Sequence, residues 1–313
     1  MPSKSLLLTL TGVAVAVASL AWYSGSRDTA SSAVVIDAAD QAAPSRDVSP
    51  AQAAAAASLR AAKSAAAGRA LSARVEFEHA NDLYAYARSL AGRERAGDPE
   101  ALWLVSRVHE YCMGYAMNPA GYAGDTRAMA ELRFPNTAAL VTARERVSRR
   151  CARFLPSDNL SPRFIVARRK EAAEAGSVAA EASLLAMGTP LSDSGDYKKD
   201  LVQRVLISRD PEAYVAISPA MGIAASEDVD SFGDVSGTAL TELAWVVAAC
   251  QLGQECGPDS TLMTTYCANG GICSRNSSQD FNAFVLDAGV PRQGADKLEE
   301  MVDTLLYNPG VVK

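Results

Sequence analysis

Few residue types in this chain are spaced for chemistry. His79 stands in Glu76-Phe77-Glu78-His79, where neighbouring carboxylates would suit acid or base work. No serine or cysteine nucleophile motif accompanies it. His109 falls on an apolar helical stripe and is expected to pack. Glu78, Asp82 and Glu110 are the acids from which a two-carboxylate hydrolase would have to draw its pair. Asp228, Asp230 and Gly233 match positions 1, 3 and 6 of a calcium loop. Phe232 and Ala239 then occupy positions 5 and 12, which removes two ligands, including the bidentate carboxylate. The residues therefore predict a protein without metal, cofactor or catalytic set.

The cysteines carry more information. Cys112, Cys151, Cys250, Cys256, Cys267 and Cys273 form an even set beyond residue 111. They lie downstream of an apolar run, residues 6–23, that follows Lys4. An export-type segment ahead of paired cysteines predicts disulfides outside the cytoplasm, where thiols are not held reduced. The run of 18 residues would span about 27 Å as a helix, with Trp22 and Tyr23 at the interface. Ser19-Leu20-Ala21 also suits signal peptidase. Residues 1–23 are thus a signal peptide or a retained inner-membrane anchor, and both place the body in the periplasm or an equivalent compartment. The last four cysteines lack the short knuckles of a zinc site, and their pairing stays open among three possibilities.

The elements that hold these residues are expected to be helices. Residues 24–70 are rich in Ala and Ser and poor in large apolar side chains, which predicts a flexible linker with helix-favouring alanines at 51–67. From residue 71 to 313, low aromatic content and abundant Ala, Leu, Glu and Arg favour helix over strand. Leu102, Val105, His109 and Cys112 step by 3, 4 and 3; Val147, Cys151, Phe154 and Leu155 form a second stripe. Both cysteines then point inward, and a Cys112–Cys151 bridge would contribute about 3–4 kcal/mol in the loop-entropy account. Trp245 to Leu252 and Ser260 to Cys267 read as a hairpin stapled by the four remaining cysteines.

Four stretches share a turn followed by an alanine-bearing helix: Ala96-Gly97-Asp98-Pro99-Glu100-Ala101, Ala175-Gly176-Ser177-Val178-Ala179-Ala180, Arg209-Asp210-Pro211-Glu212-Ala213, and Gly237-Thr238-Ala239-Leu240. Asp before Pro and Glu is a helix start, with Asp as N-cap and Glu favoured by the helix dipole. The pattern resembles the Sel1-like branch of the tetratricopeptide superfamily, over roughly residues 96–270. That resemblance implies an all-α array of helical hairpins, here braced by disulfides. The intervals are 79, 33 and 28 residues, against about 34–40 for regular arrays.

Two surfaces are candidates for binding. Tyr111 and Tyr115, four apart on one helix, suit the groove of such an array. Arg146, Arg149, Arg150 and Arg153 belong to a run from Arg144 to Lys170 with nine cations and two acids, inside a chain of net charge −6. The run could dock anionic lipid or polymer, or pair with acidic helices of the same chain. Nucleic acid is disfavoured by the compartment and the acidic total. The expectation is a non-catalytic exported scaffold that binds a protein or envelope component. A carboxylate-dependent hydrolase and an arginine-patch binder are the alternatives.

Overall fold

Every described element is a helix. The computed structural model describes residues 50–228, 232, 233 and 235–307. The apolar run at 6–23, the linker as far as residue 49, and Asp230 and Asp234 of the acidic loop lie outside them. No described helix is long and apolar enough to cross a membrane. The helices are α1 (Pro50–His79), α2 (Leu83–Arg95), α3 (Pro99–Ala116), α4 (Pro119–Ala130), α5 (Thr137–Arg150), α6 (Pro162–Glu174), α7 (Val178–Ala186), α8 (Gly195–Ser208), α9 (Pro211–Met221), α10 (Ala239–Gln251), α11 (Thr261–Ala268), α12 (Phe281–Phe284) and α13 (Ala295–Tyr307).

The four turn-and-helix stretches fold alike. α3, α7, α9 and α10 each follow a residue of positive φ: Gly97 at 72°, Gly176 at 103°, Arg209 at 50° and Gly237 at 90°. In each case the next residue, Asp98, Ser177, Asp210 or Thr238, is the N-cap, and its side chain accepts from a backbone N–H of the first turn. A left-handed residue lets the chain reverse quickly, and the cap satisfies an amide that the new helix leaves unpaired. At Arg209, which bears a Cβ in this conformation, Nη1 donates to the Leu306 carbonyl at 2.7 Å and anchors the turn. α4 and α5 fill the long interval between Gly97 and Gly176, which is why the spacing is uneven.

Packing follows chain order along a main row. α2 lies on α3, α3 on α6, α6 on α7, α7 on α9, α9 on α10 and α10 on α13. Fully buried alanines, among them Ala101, Ala180, Ala213 and Ala248, sit in this row where helices approach closely, while Trp103, Trp245 and Tyr214 fill the wider gaps. α4, α5 and α11 form a side layer that meets the row at α3. Of the two stripes read from the sequence, Leu155 is the exception, with 54% of its surface exposed. In α1, Leu59 and Leu71 face solvent, and burial begins at Ala73 and Phe77.

Three disulfides are present, Cys112–Cys151, Cys250–Cys256 and Cys267–Cys273. The first ties α3 of the main row to the end of α5 in the side layer. The other two pair sequence neighbours, each closing a helix C-terminus onto the loop that follows it. Neither crosses between α10 and α11, and α11 packs on α5 instead. The expected stapled hairpin is therefore two stapled helix ends. Three such bonds fit an oxidising, extracytoplasmic location.

Candidate functional site

A buried acid from the second Asp-Pro-Glu-Ala copy underlies the floor of a cleft. In α9, Glu212 is buried beneath its surface, and its carboxylate accepts from Trp103 Nε1 at 3.3 Å and pairs with Arg107 Nη1. Arg107 also lies over the Trp103 ring, 5.6 Å from its centre, and Arg169 lies 5.4 Å from the same ring. Arg169 Nη2 in turn donates to Glu110 at 2.5 Å. Burial works against the Arg107 charge, but Glu212, Glu110 and Glu78 outweigh it and its pKa rises. For Arg169 burial prevails over Glu110, and its pKa falls. Two guanidinium groups thus approach one aromatic ring, and their counter-ions come from α3 and α9.

Above this floor lies an open cleft of ≈ 310 Å³ between α3, α6, α7, α9, α10 and α11. Its lining includes Trp103, Tyr111, Met187, Val246 and Tyr266 among the larger side chains. Pro219 lies inside α9 on the cleft wall. Because proline lacks an N–H, the Val215 carbonyl loses its helical partner, and Ser218 Oγ donates to it at 2.9 Å. Two lining residues keep polar atoms without a partner, the Tyr111 hydroxyl and Arg169 Nε, although the residues are only 6% and 3% exposed. Burial pushes the Tyr111 phenol up, against the pull of the Arg150 charge. Glu242, on α10, lines the same cleft, and burial raises its pKa.

The residues singled out from the sequence fall in several places. Tyr111 reaches the cleft, but Tyr115 does not; it packs edge-on against Tyr122 with ring centres 5.7 Å apart. The four arginines are separated by role. Arg150 is buried and donates to the Phe77 and Ala80 carbonyls, the latter at 2.9 Å. Arg146 donates to Thr264 Oγ1 at 2.9 Å and pairs with Asp259, while Arg153 meets Asp82 at 3.0 Å. Arg149 is exposed. Further along the run, Arg168 pairs with Glu94 and Glu171.

The three acids named with a hydrolase in mind are each engaged apart from one another. Glu78 accepts from the Thr261 backbone N–H at 2.9 Å and from its hydroxyl at 2.5 Å, closing the N-terminus of α11 from outside, and burial raises its pKa against those bonds. Glu110 serves Arg169, and Asp82 caps α2 while holding Arg153. His109 packs against Phe154 and Phe164, and burial pulls its pKa down to about 4. His79 is exposed at the end of α1. Among the described residues, no three of His, Cys, Asp or Glu are grouped to hold a metal ion.

Sequence reasoning passed over Glu212, Arg107 and Glu242. The repeated Asp-Pro-Glu-Ala was a signal for the first, read there only as helix-start chemistry. Nothing local marks Arg107 or Glu242, because their importance comes from neighbours far away in the chain. The chain matches no family model, no curated protein and no solved structure.

Proposed function

We propose that this protein is a non-catalytic scaffold that works outside the cytoplasm and holds a protein partner in the cleft between α3, α6, α7, α9, α10 and α11. The observation that carries the reading is the cleft wall itself: Tyr266 and Met187 stay part-exposed on it beside Glu242, which has no partner among the described residues, while Glu78, Glu110 and Asp82 are committed to other contacts. An accessible aromatic ring and a thioether at a concave wall favour macromolecular contact. The disulfides support the compartment. The four like-built helix starts support a Sel1-like hairpin array, in which inner helices line a binding groove.

The test is site-specific photo-crosslinking in intact envelopes of the cells that make the protein. A photo-reactive residue at Thr265, which is exposed on the cleft, should give a discrete adduct identified by mass spectrometry and recovered in the reciprocal capture. The same residue at Ile207, exposed but outside the cleft lining, should not. Equal adducts from both positions, or none from Thr265, would remove the reading.

A further inference from the structure

Charges around the cleft are matched with one exception. Arg107 is spent on Glu212, Arg169 on Glu110, and Glu78 on Thr261. Glu242 lines the cleft from α10, and among the described residues no hydrogen bond or ion pair reaches its carboxylate. The backbone makes room for it: a Cβ at Gly222 would lie 2.3 Å from Glu242 Oε2, so only glycine lets the carboxylate occupy this place. Across the cleft wall stands the Tyr266 ring, close enough to Glu242 for that charge to add to the burial that pushes the phenol up to about 12. An uncompensated carboxylate beside an aromatic ring attracts a cation by charge and by the ring's quadrupole.

We infer that the cleft takes a peptide segment of the partner bearing a lysine or arginine side chain, with the cation placed at Glu242 beside Tyr266. This rests on the scaffold reading and adds the chemistry of the partner. The carboxylate is half-buried, so its charge is screened less than a surface acid's, and a cation there restores the balance that the site lacks when empty. The apolar walls, Val215, Val246 and Leu262, would cover the stem of such a side chain.

The experiment titrates the whole chain with acetyl-Ala-Arg-Ala-amide and with the same peptide carrying neutral citrulline, followed by amide chemical shifts. Saturable binding of the arginine peptide is expected, roughly tenfold tighter than citrulline, with shifts at Glu242 and Tyr266. Glu242→Gln should abolish the difference between the two peptides while the thermal transition stays, because that carboxylate has no partner to lose. Gly222→Ala, which displaces the carboxylate, should weaken the arginine peptide similarly. Equal binding of both peptides, no binding of either, or full affinity in Glu242→Gln would overturn the inference. The adduct from Thr265 separates the two readings: its survival in Glu242→Gln leaves the scaffold standing without the cation, whereas its absence in the wild-type chain removes the scaffold itself.

Discussion

Arg74 and Asp210 stand 136 residues apart and meet through two hydrogen bonds, 2.6 Å from Nη1 to Oδ1 and 3.2 Å from Nη2 to Oδ2. The other edge of the same guanidinium grips Glu100, at 2.6 Å from Nε and 2.8 Å from Nη2. One side chain of α1 therefore joins the two Asp-Pro-Glu-Ala helix starts, and with them α3 and α9. Asp210 also caps α9, so the contact fixes a helix end as well as a charge.

Removing Arg74 leaves two carboxylates facing each other in a part-buried site. Burial, joined by the charges of Asp210 and Glu212, already raises the Glu100 pKa despite the arginine. Arg74→Gln should cost about 2–4 kcal/mol in urea unfolding. Arg74→Lys should recover only a part of it, since an ammonium cannot grip both carboxylates bidentately. A loss below about 0.5 kcal/mol would mean that the fork is ornamental to folding.

The three disulfides should contribute unequally. Cys112–Cys151 closes a sequence separation of 39 residues and ties two layers together. Its replacement by alanine is expected to lower stability by about 3–4 kcal/mol, against about 2 kcal/mol for Cys267–Cys273, where the separation is 6. Non-reducing peptide maps should recover Cys112 with Cys151, and free thiols at those positions would contradict the structure.

The arginines of α5 offer a sharp contrast within two adjacent residues. Arg150 is buried and supplies hydrogen bonds to the end of α1, whereas Arg149 is exposed. Arg150→Gln should leave the Phe77 and Ala80 carbonyls short of donors and cost about 2 kcal/mol. Arg149→Gln should shift stability by less than about 0.5 kcal/mol. Chemical denaturation of the two single variants measures the difference, and equal losses would show that the charge run acts as a whole.

Acid should expose the burial of His109. Its imidazole takes a proton only near pH 4 in the folded chain, against about 6.5 when unfolded. Between those values the unfolded chain binds more protons, so stability falls as the pH falls and the loss is complete below pH 4, reaching at most about 3 kcal/mol. His109→Gln should flatten this part of the stability curve relative to the parent chain. An unchanged slope between pH 6.5 and 4 would place the acid sensitivity elsewhere.

Local signals in the sequence reached the helical class, the helix starts at Asp98, Ser177, Asp210 and Thr238, and the bridge from Cys112 to Cys151. Those features depend on propensity, capping and 3.6-residue periodicity, which act over a few residues. Only the tertiary structure decided that Cys250 and Cys267 pair with the nearer cysteines, and that one basic run divides into a buried Arg150, ion-paired Arg146, Arg153, Arg168 and Arg169, and an exposed Arg149. It also decided that Glu212 reaches Arg107 while Glu242 reaches no partner among the described residues. A charge acquires its role from what lies within a few ångströms of it, and helix packing brings those neighbours from more than a hundred residues away.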